Sequence, residues 1–255
     1  MGASPVRLAA IAAAIWLGTC TLAAQNEPIE APPLKRFPSD LAKNFVGLAS
    51  TDNLKPLLYG GLLTGAAAIP EQNIETYFKR RDEAFESIGE PGEYLGDARL
   101  IGASLGTAFV VSRLSGGPRF QRTTYEIAQG LVINGAITGA TKKLVGRERP
   151  NGENHNSFPS GHTSTAFTWA TVLQRNYGWK LGVPAYLTAS YIGATRLEEN
   201  AHHLTDVFAG ATIGYIVGRT VTRSHHKGLQ RFTWNVTPVR GGAVGGVAIQ
   251  LGRLH

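Results

Sequence analysis

Six uncharged, mainly apolar runs recur along the chain, at 57–70, 100–112, 127–141, 163–174, 181–195 and 207–218, each 12 to 15 residues long. Charged clusters, Pro or Gly fence them. Runs of that length outgrow ordinary strands and suit helices, so their succession predicts an all-α domain built on six core helices. The pattern changes near the C-terminus. Trp234-Asn235-Val236-Thr237-Pro238-Val239 and Val247-Ala248-Ile249-Gln250-Leu251 alternate as strands do, with Gly241-Gly242 between them, which predicts a β-hairpin or a pair of edge strands. Pro28, Pro32, Pro33 and Pro38 among polar residues mark a linker. The resulting division is a leader over 1–24, a linker and leading segment over 25–50, a helical domain over 51–222 and a basic, strand-like tail over 223–255.

The leader reads as an export signal. Arg7 supplies the positive start, Leu8 to Gly18 the apolar stretch, and Thr21-Leu22-Ala23-Ala24 a cleavage zone of small residues. Leu17-Gly18-Thr19-Cys20 resembles a lipoprotein box, although Thr19 fits it poorly; the alternative is a Cys lost with the signal. Cys20 is the chain's one cysteine, so no disulfide is expected after export. The compartment implied is a bacterial-type periplasm or cell envelope. A bilayer-spanning helix needs about 20 mostly apolar residues, and runs of 12 to 15 fall short unless Lys and Arg at their ends snorkel. The balance favours a soluble or membrane-associated bundle. Net charge is +7, and +6 without Arg7, which suits nucleic acid, anionic lipid or phosphate. Export makes nucleic acid the poorest fit of the three.

Three clusters carry candidate chemistry. In Lys142-Lys143-Leu144-Val145-Gly146-Arg147-Glu148-Arg149-Pro150, Lys142 and Arg149 stand seven residues apart. Two helical turns would put them on nearly one face, with Pro150 ending the helix. Alone, this is an ordinary basic helix end. In Ser157-Phe158-Pro159-Ser160-Gly161-His162, Ser160 is placed to cap a helix whose free N–H groups form an anion site, and Gly161 admits a close ligand. An ordinary cap explains Ser160 but has no use for His162. In Thr195-Arg196-Leu197-Glu198-Glu199-Asn200-Ala201-His202-His203-Leu204-Thr205-Asp206, His202 and Asp206 are four apart. On a helix the carboxylate would reach the imidazole, fix its tautomer and leave the other nitrogen free to attack. The competing reading is a metal site of His202, Asp206 and His162 or His203, although neighbouring histidines point about 100° apart on a helix.

Taken in order, Lys-x6-Arg-Pro, Pro-Ser-Gly-His and Arg-x5-His-x3-Asp resemble the signature of the type 2 phosphatidic-acid phosphatase superfamily. Bacterial non-specific acid phosphatases and vanadate-dependent haloperoxidases are related to it. The resemblance covers roughly residues 50 to 222 and departs at Thr195, where the family usually has Ser, and in a short stretch between Pro150 and Pro159. It implies a phosphoric ester hydrolase without metal or cofactor. Lys142, Arg149 and Arg196 would hold the phosphate oxygens, with Ser160 and the Gly161 N–H completing the cradle. His202, oriented by Asp206, would be the nucleophile that forms a phosphohistidine, and His162 the acid and base. The implied partner is a phosphorylated lipid at a membrane surface or a small phosphoester. A vanadate haloperoxidase and a non-catalytic envelope protein are the rival readings.

Overall fold

The computed structural model describes residues 30–80, 98–223, 231–239 and 242–250. The expected leader over 1–24 lies outside them, as does the centre of the basic stretch, His225 to Lys227. Eight α-helices occur among the described residues: α1 Phe37–Gly47, α2 Leu54–Ala67, α3 Glu71–Lys79, α4 Ala98–Ser115, α5 Pro118–Val145, α6 Gly161–Tyr177, α7 Trp179–Glu198 and α8 Leu204–Val221. All six apolar runs fall on helices α2 and α4 to α8. The other two are α1 and α3, which are too rich in polar residues to register as runs. Strands β1 Arg231–Val239 and β2 Gly242–Gln250 form an antiparallel hairpin with Val239 opposite Gly242.

Helix α1 lies in the expected leading segment, yet it packs on the bundle. The Tyr125 hydroxyl donates to Asp40 at 3.1 Å, the Asn44 amide donates to Gln129 at 2.6 Å, and Phe37 meets Tyr125 edge-on. Helix α8 is the hub, packed on α6, α2, α5 and α7. Its contact with α6 is set by Gly210, Gly214 and Gly218, one per turn. A Cβ there would stand 2.5 Å from the Ser160 carbonyl oxygen, 2.2 Å from that of Ser164 and 2.7 Å from that of Thr168. Such backbone-to-backbone approach is open only to glycine, and it aligns the N-terminal ends of α6 and α8.

The apolar core has two patches. Ala166, Ala170, Ala185, Tyr186, Ala189 and Ile192 fill the α6–α7 contact, and Ile127, Ile133, Val172, Val217 and Val221 the α5–α6–α8 contact. The outer face of α2 is the reverse of a soluble surface, since Leu54, Leu57, Leu58, Tyr59 and Leu62 are all more than half exposed. No described helix is long and apolar enough to cross a membrane.

Candidate active site

Each of the three sequence clusters is a loop joined to a helix end, and the three are tied together through their backbones. Helix α5 closes at Gly146, whose left-handed φ of 59° lets its N–H return to the Lys142 carbonyl. Lys142 is therefore in the last turn, where the helix dipole favours a cation. Arg149 is not on that helix. It sits on a compact loop in which its N–H donates to the Asn154 carbonyl at 3.0 Å and that of Ser157 to Arg147 at 2.9 Å. The expected shared helical face of Lys142 and Arg149 is thus incorrect, because Gly146 ends the helix before Pro150 is reached.

The third cluster also leaves the helix. Helix α7 ends at Glu198, and Asn200 takes a left-handed φ of 50°, a conformation Asn tolerates better than most residues. The turn sends the N–H groups of Ala201 and His202 back to the Arg196 carbonyl at 3.1 and 3.2 Å. That places His202 beside Arg196. His203 is the N-cap of α8, and Asp206, in the first turn, accepts the His203 N–H at 2.9 Å. His202 and Asp206 are accordingly not on one helix, as the four-residue spacing suggested. Still, the carboxylate stands 3.7 Å from His202 Nδ1, beyond hydrogen-bond range, and that buried nitrogen has no partner among the described residues.

Ser160 caps α6 as expected, its hydroxyl accepting from the Thr163 N–H at 3.4 Å. The Ser160 N–H donates to the Asp206 carbonyl at 3.0 Å and the Asn151 N–H to that of Asn200 at 3.0 Å, which locks the three loops together. Gly161 and His162 open α6. A Cβ on Gly161 would reach only Lys142 Cε, at 3.8 Å, so the space beyond it belongs to the site.

The electrostatics of the cluster are those of excess positive charge. Burial, then the charges of Arg196, His202, Arg149 and Lys142, pushes His162 down to about 4. Burial, then Arg149, lowers Lys142 to about 8, against the pull of Asp206. Burial also lowers His202; Asp206 opposes it, while Lys142 and Arg149 add to it. His162 therefore feels the other four side chains at once. Two of the cations also carry carboxylate partners: Arg149 Nη1 donates to Glu153 at 2.9 Å, and Arg196 pairs with Glu199.

Residues 125–229 match the sequence profile of the PAP2 superfamily. That stretch, which holds all three clusters, is similar to the PAP2 superfamily. Lipid A 1-phosphatase of Porphyromonas gingivalis is 42% identical over 94 residues, covering 36% of this chain and 21% of that protein. Lipid phosphate phosphatase 1 of Arabidopsis thaliana is 31% identical over 129 residues, 34% of this chain and 39% of that protein. The chain thus spans well under half the length of either relative. In fold it is similar to LpxE of Aquifex aeolicus, with a TM-score of 0.51 and 22% identity over 60% of this chain and 94% of that one. It is also similar to the first transmembrane PAP2 type phosphatidylglycerolphosphate phosphatase from Bacillus subtilis, with a TM-score of 0.57 and 18% identity over 69% and 96%.

Behind the candidate site lies a layer that sequence reasoning passed over. Asp206 is fully buried and accepts from Arg147 Nη1 at 2.8 Å and from the Ser157 hydroxyl. Burial alone would raise its carboxyl, but the facing His202, Ser157, the His203 N–H and Arg147 together hold it below the usual carboxylate range. Arg147 and Ser157 were legible as members of the first two clusters, without any sign of their target. Glu71, which takes the other end of Arg147 at 2.7 Å, carried no signal at all.

Proposed function

We propose that this chain is a metal-independent phosphatase that hydrolyses phosphomonoesters or pyrophosphates of lipids through a phosphohistidine on His202. What supports it most is the shared positive field: beyond the effect of burial, the charges of Arg196, His202, Arg149 and Lys142 all press on His162 and depress its protonation. A phosphoryl group needs positioning and charge neutralisation more than covalent help, and these cations supply both. Two guanidinium forks grip its oxygens, Lys142 adds a point charge, and the cap at Ser160 aims the α6 N–H groups at the same anion.

In the first step the free nitrogen of His202 attacks phosphorus as the bond to the leaving oxygen breaks, and His162 gives that oxygen a proton. In the second, water attacks the phosphohistidine, His162 takes the water's proton, and the N–P bond breaks to release phosphate. His162 is neutral near pH 7 in the empty site, since its pKa is about 4. A bound phosphate dianion reverses that field and raises the imidazole into the range of a useful acid. Asp206 steadies the His202 ring as positive charge develops on it.

The lipid part of the reading draws on the relatives, which carry the names of lipid phosphatases, and on the exposed leucines of α2. We read residues 1–24 as an export signal, 51–222 as the phosphatase domain and the envelope membrane surface as the place of action. The test is one panel in excess chelator: phosphatidate, phosphatidylglycerophosphate, undecaprenyl pyrophosphate and a soluble aryl phosphate. Turnover of the lipids ahead of the aryl ester, inhibited by vanadate, is expected. A preference for the aryl ester overturns the lipid reading, and activity that needs a divalent ion overturns the metal-independent one.

A further inference from the structure

Helix α3 stands outside the three motifs, yet two of its side chains end on the loop that carries His202. Glu71 and Glu75 are one turn apart and face the N-terminus of α8. Glu71 Oε1 accepts from Arg147 Nη2 at 2.7 Å, and Oε2 accepts from the Thr205 N–H at 2.9 Å and its hydroxyl at 2.6 Å. The other guanidinium nitrogen, Arg147 Nη1, donates to Asp206 at 2.8 Å and to the Thr205 hydroxyl oxygen at 2.6 Å. Glu75 bonds His203 Nδ1, whose Nε2 meets the Glu148 carbonyl at 3.0 Å. His202 is thus flanked on one side by His203, held by Glu75, and on the other by the carboxylate of Asp206, held through Arg147 by Glu71.

We propose that Glu71 and Glu75 are positioning residues, which set the place of His202 and Asp206 by bracing the loop from α3. The inference rests on the phosphatase reading only for its kinetic readout. Glu71 serves as an external cap: a carboxylate from another helix satisfies a free N–H in the first turn of α8, where the helix dipole favours it. It also fixes Arg147, holding Nη2 while Nη1 reaches both Asp206 and the Thr205 hydroxyl. Ligand atoms of Glu71, Glu75 and His203 lie within 4.8 Å of one another, the grouping of a metal site. Bonds to Arg147, Thr205 and Glu75 already engage both oxygens of Glu71 and Nδ1 of His203, and a cation on Glu71 would sit against the Arg147 guanidinium. A brace fits the donors present better than an ion.

The test is Glu71→Gln, which keeps shape but offers one acceptor oxygen where the carboxylate offers two. Turnover (kcat) on phosphatidate should fall about 10- to 100-fold, while KM and tungstate affinity by calorimetry stay within about 3-fold, because the cations of the cradle are untouched. Glu75→Gln should show the same split with a smaller fall. Formate should restore part of the turnover of Glu71→Ala, and chloride none. Unchanged kcat, or a fall matched by an equal loss of tungstate-binding stoichiometry, overturns the proposal. Should Glu71→Gln fail to fold, Thr205→Val removes the hydroxyl bridge at equal volume and is read the same way. Should the wild type hydrolyse nothing, the phosphatase reading has failed and hydrogen exchange decides the brace. Faster exchange of amides 201–206 in Glu71→Gln supports it, and equal rates overturn it.

Discussion

Two layers of charge lie back to back at the α6 and α8 ends, and they are built on opposite rules. In the rear layer cations and anions alternate: Glu71, Arg147 and Asp206 form a chain, and His203 sits against Glu75. In the front layer the charges of Arg196, Arg149 and Lys142 bear on His162, and Arg149 and Arg196 also meet Glu153 and Glu199. Paired charge in a buried place fixes geometry, because each removal strands its partner. An excess of positive charge around one place instead lowers neighbouring pKa values and favours an incoming anion. On the proposed reading, the rear layer holds His202 still and the front layer receives the phosphate.

The sharpest break comes from the residue that touches both layers. His202→Ala should lower turnover by about 10⁴-fold or more, while the thermal midpoint stays within a few degrees of wild type, since the brace behind it does not use the imidazole. Initial rates on a lipid phosphate, with a melting curve, read this directly. Full activity would discard the mechanism.

Next in size is the loss of a guanidinium fork. Arg149→Lys keeps the charge but not the paired donors, and should cost about 10- to 100-fold in kcat/KM. The matching change in the rear layer, Arg147→Lys, should show its loss in kcat with tungstate affinity little changed. If both variants lose anion affinity equally, the two layers do not divide the work.

Much of the front layer was legible in the sequence and almost none of the rear. Lys142, Arg149, His162, Arg196 and His202 sit in short clusters whose order resembles a family signature. Spacing misled where it was turned into a helical face. Gly146 and Asn200, both in left-handed conformations, take Arg149 and His202 off their helices. Glu71 was invisible because its partner Thr205 is 134 positions away and a lone Glu near a Pro looks like any surface residue. The six apolar runs announced the bundle, but α1 and α3 did not appear, since they are held by polar contacts such as Asn44 to Gln129.

A smaller effect tests the front layer by titration. Lys142 is a cation below about 8 and neutral above it, so an anion of constant charge should bind progressively more weakly as pH rises past that value. Calorimetry with tungstate from pH 6 to pH 10 should find a fall of roughly tenfold, and Lys142→Arg should abolish the limb, as a guanidinium keeps its proton. Binding near pH 6 should also take up a proton, because the bound anion raises His162 from about 4. Proton release instead would mean that the field at His162 has the opposite sign.

The smallest effect separates an anion in front from an anion behind. Glu153 pairs with Arg149 at 2.9 Å but is 60% exposed, so water screens the pair and its contribution to stability is small, about 0.5 kcal/mol or less. Glu153→Gln should leave the melting temperature almost unchanged and, by freeing Arg149 for the ligand, tighten tungstate binding about twofold. Glu71→Gln also removes one negative charge, from a carboxylate with only 14% of its side chain exposed, and is expected to cost turnover without improving affinity. Net charge is the same in the two variants, so opposite outcomes trace to which layer the charge was taken from. Equal outcomes would reduce both layers to a single diffuse field.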